Sequence, residues 1–271
     1  MGGLGDFSIQ EFLMIWNANE YQIFKNERLQ PTLDLINRLP NLNYKSILDI
    51  GCGSGMSTFP LEQKYSQAKI VGVDMSMEML EKAKQTKSTI QWVQRDCSKP
   101  LDDLGKFDLI FSNAFLHWLG SLDSQEKFLD NVSKMLNPNG VLAVQLPNKN
   151  DMEVNMCIDE VASEYGTKFA NIKKILNNGS INDYYNMLLK SYDKVQIWQT
   201  NYGHILNSHE EIIKFVGSTG LKPYLSILND TQKLEFSSKL IGRLKECYPT
   251  CDDGKVIFTF KRIFFIATKN V

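Results

Sequence analysis

Ile47-Leu48-Asp49-Ile50-Gly51-Cys52-Gly53-Ser54-Gly55 is the stretch whose reading decides the fold. Ile47, Leu48 and Ile50 carry the signal of a buried strand. The three glycines that follow tolerate positive φ and let backbone come close to a ligand. Met56-Ser57-Thr58-Phe59 then opens a helix whose free N–H groups face the same space. Strand, glycine turn and helix N-terminus in this order make a nucleotide-binding corner.

The spacing selects among nucleotides. A dinucleotide fingerprint places glycines first, third and sixth. Here the third glycine comes one place early, at Gly55, and Met56 holds the sixth position. Asp49 stands immediately before the turn, where a pyrophosphate would meet repulsion. An acid there suits a cationic ligand such as the amino-acid end of S-adenosylmethionine. A second acid, Asp74, ends the apolar run Ile70-Val71-Gly72-Val73. It follows at roughly 20 residues, where a carboxylate accepts bonds from both ribose hydroxyls. The alternative is a tight strand-to-helix turn with Asp74 as a helix cap; two acids in register favour binding.

Outward from this corner, short apolar runs alternate with helical patterns. The runs are 46–50, 69–74, 90–94, 107–112 and 140–146, and helices fall near 57–65, 76–86 and 124–136. Asp123 or Ser124 reads as the cap of the last helix, and Pro138-Asn139-Gly140 as its stop. Near-continuous apolar strands alternating with helices predict an α/β fold with a parallel sheet covered on both faces. Upstream, Arg28 to Leu39 reads as a helix with Pro31 in its first turn. Downstream, 151–190 and 209–247 read as helical, Val195 to Leu206 as a strand, and Val256 to Ala267 as a long terminal strand. The expected organisation is an N-terminal helical segment, 1–45, closing the site, and one domain, 46–271. Helical cap insertions fall at about 151–190 and 209–247.

Composition narrows the function. With 271 residues and 43% apolar content, the chain can bury a core without staples. A formal charge of −1 argues against a nucleic-acid backbone binder. Five scattered cysteines without histidine partners at zinc spacing predict reduced thiols and no metal. No signal peptide, myristoylation pattern or membrane-length apolar run is seen, so the expectation is a soluble cytoplasmic protein that binds no membrane, a monomer or weak homodimer.

In open α/β sheets ligands lie beyond the carboxyl ends of the strands. Those ends supply Asp49 and Gly51 to Gly55, then Asp74-Met75-Ser76 with Met79, then Arg95-Asp96-Cys97. The fourth supplies Ser112-Asn113-Ala114-Phe115 and His117-Trp118, and the fifth Pro147-Asn148. With Phe107-Asp-Leu-Ile-Phe111 this series resembles the class I S-adenosylmethionine-dependent methyltransferases. The resemblance implies a Rossmann-like seven-stranded, mostly parallel sheet whose last strand is antiparallel. It implies S-adenosylmethionine as cofactor, with S-adenosylhomocysteine as product. The cofactor would be held by Trp16, Asp49, Gly51, Cys52, Gly53, Asp74, Met75, Met79, Asp96, Cys97, Asn113 and Ala114. Phe107 to Phe111 would form the edge near the transferred methyl. Side chains of Cys52 and Cys97 are expected to be inert, Met75, Met77 and Met79 to pack, and Lys82, Lys84 and Lys87 to be a solvated face.

The likeness extends to the trans-aconitate methyltransferases. It is carried by Trp16-Asn17 with Tyr21, Phe24, Glu27-Arg28 and Pro31, and by Gly140 to Gln145. It continues in Ile197-Trp198-Gln199-Thr200, Tyr202, His204, Ser208-His209, Thr219 to Pro223, Tyr248-Pro249 and Arg262-Ile263-Phe264. The resemblance implies a methyl ester formed on a small carboxylic acid. Tyr21, His117 and Trp118 would wall the methyl with Trp16, and Arg28, Asn148, Tyr202 and His204 would hold the acid. Arg262 either binds an acid or pairs across its strand. The family usually has glutamine at His117, aspartate at Asn148, a second arginine at Gln30 and a second tyrosine at Gly203. These departures keep open another acceptor: a fatty or terpenoid acid, a thioester-bound acid or an amine.

Overall fold

Strands alternating with helices set the architecture in a computed structural model of the chain, which describes residues 24–170, 172, 178–217 and 219–269. The first described helix, α1, is Lys25–Arg38. It is followed by β1 Ser46–Ile50, α2 Thr58–Lys64, β2 Lys69–Asp74, α3 Met77–Lys84, β3 Gln91–Gln94, β4 Phe107–Asn113, α4 Leu122–Lys134 and β5 Leu136–Pro147. Then come α5 Glu153–Ser163, α6 Ile181–Leu188, β6 Lys194–Leu206, α7 His209–Gly217, α8 Lys222–Ser226, α9 Asp230–Cys247 and β7 Val256–Thr268.

Seven strands form one sheet in the order β3-β2-β1-β4-β5-β7-β6. The pairs β1–β2, β1–β4, β2–β3 and β4–β5 are parallel, and β7 runs antiparallel to β5. The expected mostly parallel sheet with an antiparallel last strand is therefore what the chain forms. Strand order reverses between β1 and β4, and a crevice opens at such a reversal, beyond the carboxyl ends of the strands. Leu48, Ile50, Ile110, Leu142 and Val144 are fully buried in the sheet's core, which explains their near-continuous apolar runs.

The chain divides into two compact units. The sheet unit takes 28–150, 175–201 and 261–271. The other takes Phe24–Glu27, 151–174 and 202–260. This second unit has its own aromatic core, in which Phe169 lies 5.3 Å from Tyr224 and 5.8 Å from Phe236, centre to centre. Val154 N donates to the Tyr248 hydroxyl at 3.0 Å, joining α5 to the end of α9. Cys157 and Cys247, distant in sequence, meet here as free thiols with their sulfurs 3.2 Å apart.

Several local readings change. α1 begins at Lys25, so Pro31 lies inside the helix rather than in its first turn. The helix keeps going because its inner face (Arg28, Thr32, Leu35 and Ile36) is buried. Each buried leucine or isoleucine there contributes about 1.5–3 kcal/mol, which offsets one lost backbone bond. The cap of α4 is Ser121, whose hydroxyl accepts from Ser124 N, not Asp123 or Ser124. Pro138-Asn139-Gly140 does not stop that helix but lies inside β5. Leu136 already pairs with Phe107, and the register then slips to Leu109 opposite Val141. The intervening residues are an irregularity in the ladder, with Asn139 at φ 61°.

Candidate active site

The glycine turn is held from below by the neighbouring strand. Gly51 N and Cys52 N both donate to Val73 O, at 2.9 and 3.0 Å. Gly51 has φ 73°, and a Cβ there would meet Phe115 at 2.6 Å. Only glycine lets the turn after β1 pack against the turn after β4. Gly53, at φ 54°, faces the opposite situation: an added Cβ would meet nothing within 4 Å. The space above Gly53 is open, as a ligand approached by backbone requires.

Asp49 is completely buried at the end of β1. Its Oδ2 accepts from Ser57 Oγ at 2.7 Å and Thr58 Oγ1 at 2.6 Å, so the start of α2 is tied to the strand. Oδ1 has no hydrogen-bond partner among the described residues. Burial raises the Asp49 pKa to about 6; the two hydroxyls pull it back, and the charge of Asp74 pushes it further up. A cation arriving at this carboxylate restores its charge.

Asp74 does not cap the following helix. Ser76 does, its hydroxyl accepting from Met79 N. Asp74 instead spreads its two oxygens: Oδ2 accepts from Gly53 N at 2.9 Å and Oδ1 from Ser76 N at 2.8 Å. The half-buried carboxylate thereby locks the glycine turn while staying at the crevice. Met75, Met77 and Met79 are exposed, Met75 by 69%, and so do not pack as the sequence suggested. Asp96, at the end of β3, accepts from Ser98 N and Oγ, which holds its carboxyl below the usual range. Cys97 is buried, with its thiol pushed up to about 12 chiefly by burial, and Cys52 is pushed higher still. Both are inert at neutral pH.

At the end of β4, Ser112 Oγ donates to Ile50 O, and Ala114 sits at φ 55°, a strained conformation for a residue with a Cβ. Asn113 keeps a buried Oδ1 without a hydrogen-bond partner among the described residues. The following 3-10 turn, Leu116–Leu119, carries His117 and Trp118. The two rings are 5.0 Å apart; His117 is buried and Trp118 is 42% exposed. Burial, then the charges of Lys149 and Arg262, drive the His117 pKa well below its ordinary value. It is a neutral imidazole. Asp108, in the segment expected near the methyl, lies at the other end of β4. There it accepts from Lys45 N, Ser46 N and Asn137 Nδ2, and is a clamp between strands.

The sheet unit thus brings together Asp49, the glycine turn, Asp74, Asp96, Cys97, Asn113, Ala114, His117, Trp118 and Asn148 at the carboxyl ends of successive strands. Asn148 donates from Nδ2 to Gln199 Oε1 at 2.6 Å and from its backbone to Lys261 O. Arg28 is buried on the inner face of α1. Gln30 is exposed and donates from Nε2 to Asp34 Oδ1 at 2.8 Å. Tyr202 and His204 belong to the other unit, where their rings lie parallel. His204 is buried at 4.9 Å from Phe215 and 6.2 Å from Phe258, an aromatic packing position. Trp16 and Tyr21 lie outside the described residues. Lys149, absent from the sequence-based set, places Nζ 5.2 Å from the Trp118 ring centre. Its only sequence signal is adjacency to Asn148.

The open space over Gly53, the anchored carboxylate of Asp74 and the buried acid Asp49 fit a cationic nucleoside, with Asp74 for its ribose and Asp49 for its charged end. The family described as a methyltransferase domain matches residues 48–144. The YcgJ protein of Bacillus subtilis has a similar fold, at 15% identity and a TM-score of 0.59, over 91% of this chain and 99% of that one. So does phosphoethanolamine N-methyltransferase 2 of Haemonchus contortus in complex with S-adenosyl-L-methionine. It is 16% identical, with a TM-score of 0.54, over 98% of this chain and 61% of that one. Fold and strand ends together define a class I S-adenosylmethionine-dependent methyltransferase. The trans-aconitate 2-methyltransferase of Escherichia coli is 35% identical over 256 residues, 94% of this chain and 98% of that protein. At that identity and coverage, the chain belongs to the trans-aconitate 2-methyltransferase family.

Proposed function

We propose that this enzyme esterifies one carboxylate of a small polycarboxylic acid of the trans-aconitate type, releasing the methyl ester and S-adenosylhomocysteine. The observation that carries the reading is near-full-length likeness to proteins named for that reaction. When bound, the cofactor supplies an electrophilic methyl on a sulfonium. The acceptor needs no activation, because a carboxyl group with a reference pKa of about 4 is already ionised near neutrality. The lowered pKa of buried His117 makes it a weak base, and the reaction of a carboxylate asks for none. What remains for the chain is alignment and exclusion of water.

In this reading Asp49, Gly51 to Gly53 and Asp74 hold the cofactor, with Met75, Met79, Asp96, Asn113 and Ala114 around its base and methionine ends. His117 and Trp118 wall the methyl, and Arg28 holds a carboxylate.

The test is labelled methyl transfer to tri-, di- and monocarboxylic acids and to amines, with the product identified by mass spectrometry. The expected product is a base-labile methyl ester. Label in an amine or thioester alone would overturn the reading. Arg28→Ala is expected to raise KM for the acid at least tenfold with cofactor affinity unchanged; an unchanged KM for every carboxylate removes Arg28 from the site.

A further inference from the structure

α5 and α9 pack along each other, and the links between them run in order. Val154 N donates to the Tyr248 hydroxyl at 3.0 Å, Glu160 pairs with Arg243 at 3.6 Å, and Glu164 pairs with Lys239 at 2.9 Å. Moving up α5 means moving down α9, so the helices are antiparallel and their register is fixed. Between the first two of these links, one turn of α5 further on, stand Cys157 and Cys247. They are 90 positions apart in the chain, and their sulfurs are 3.2 Å apart. Tyr248, the next residue after Cys247, is held a second time where its carbonyl oxygen meets His209 Nε2 at 2.7 Å. The two sulfurs face each other because the helices are pinned on both sides of them.

The two thiols differ in access. Cys157 is buried, at 1% exposure, whereas Cys247 is exposed. A reagent in solution therefore meets Cys247 first. The Cys157 thiol is pushed up to about 12, chiefly by burial, then by its hydrogen bond to Cys247 and the charge there. Once the Cys247 sulfur is bonded to another sulfur, that charge is gone and Cys157 gives up its proton more readily. An accessible attacking thiol beside a sheltered resolving thiol is what thiol–disulfide exchange requires. The other cysteines lack it. Cys52 and Cys97 are buried in the sheet unit. Cys251 is exposed in the turn after α9, where its N donates to Lys255 O and its O accepts from Gly254 N.

We propose that Cys157 and Cys247 are a modification site, a dithiol that low-molecular-weight disulfides convert into a reversible bridge between α5 and α9. Cys247 loses its proton and its sulfur attacks the small disulfide. The S–S bond of the reagent breaks, a mixed disulfide forms on Cys247, and one small thiolate leaves. Cys157 then loses its proton, and its sulfur displaces the second small thiolate from Cys247. Two protein thiols and one small disulfide give one protein disulfide and two small thiols, with two electrons passing to the reagent. The bridge closes a loop of chain that contains α6, β6, α7 and α8, and so restricts the unfolded chain. It braces the unit that carries Tyr202 and His204 and leaves the glycine turn untouched. The site is independent of which acceptor the enzyme methylates.

The experiment incubates the full chain with oxidised glutathione near neutral pH. Thiols are then counted in denaturant, the intact mass and the peptide map are taken, and the melting temperature is compared with that of the reduced protein. One cross-linked peptide pair, Cys157 with Cys247, is expected. The melting temperature should rise by at least about 4 °C and return on treatment with dithiothreitol. Cys251→Ser, which removes the other exposed thiol, should lose two thiols, retain no glutathione and form the same bridge. Cys157→Ser should stop at the mixed disulfide, with one glutathione held on Cys247. Cys247→Ser should leave Cys157 unreacted while the protein is folded. Should Cys157→Ser fail to fold, Cys247→Ser and Cys251→Ser decide together with the peptide map of the parent. A bridge from Cys247 to Cys251, glutathione retained on Cys247 of the parent, or no loss of thiols overturns the proposal. So does a bridged protein that melts no higher than the reduced one.

Discussion

Replacing Asp49 with asparagine removes a charge from the most buried position of the cofactor turn. The carboxyl is completely buried, and its pKa is raised from 3.8 to about 6 mainly by that burial. Each pKa unit is worth about 1.4 kcal/mol, so the ionised group costs the fold about 3 kcal/mol above pH 6. The sign follows from the raised value. Well below pH 3.8 folded and unfolded chains are both protonated at this site, and the group costs nothing. As pH rises towards 6 the unfolded chain ionises first, and stability is lost. Between pH 4.5 and 7.5 the wild type should therefore lose about 2 kcal/mol relative to Asp49→Asn. Any constant cost of fitting the amide against Ser57 and Thr58 cancels in that difference. Urea melts of both proteins across this range measure it. Parallel stability curves would refute the reasoning, because they would mean that Asp49 titrates alike in both states. The same group predicts proton release on cofactor binding, largest somewhat below pH 6, since a cation beside Asp49 restores its charge. Calorimetry of S-adenosylmethionine binding in buffers of different ionisation enthalpy reads that release.

Asp74→Ala removes the acceptor for Gly53 N and Ser76 N. It should weaken S-adenosylhomocysteine binding by roughly tenfold to a hundredfold, the scale of one or two hydrogen bonds to a charged group; a change under threefold would speak against a ribose anchor. Gly51→Ala and Gly53→Ala should separate stability from binding. The first drives a Cβ to 2.6 Å from Phe115 and should cost about 2–4 kcal/mol in urea melts. The second has room for its Cβ and should cost only about 1 kcal/mol for its positive φ, while losing most cofactor affinity. The reverse pattern would mean that the open space over Gly53 is not the ligand's.

How much was legible beforehand depends on the range of the interaction that carries each feature. The strand ends and the glycine turn are local: apolar runs, a glycine at positive φ and an acid at the end of each of the first three strands. Asp49, Asp74 and Asp96 could therefore be placed from their neighbours alone, and the structure sets them at successive strand ends. Pro31 was misread because its helix is extended by the burial of Arg28, Thr32 and Leu35, a tertiary effect that overrides local propensity. The cap of α4 was misplaced by two or three residues because Ser121, Asp123 and Ser124 are all competent caps, and only backbone geometry chooses. Asp108 was read with its apolar run and turned out to clamp the far end of the strand.

Sequence by itself determined the cofactor side, since the nucleoside corner is built from short segments, each formed by near neighbours along the chain. Only the tertiary structure shows which distant side chains surround His117. Arg262 and Gln145 are 117 positions apart and meet because β7 pairs antiparallel to β5. That pairing brings a charge from near the end of the chain to Lys149 and His117, and no periodicity or local spacing records it. Burial had to be known as well, because nothing near Asn148 in the sequence shows that Lys149 is desolvated over the Trp118 ring.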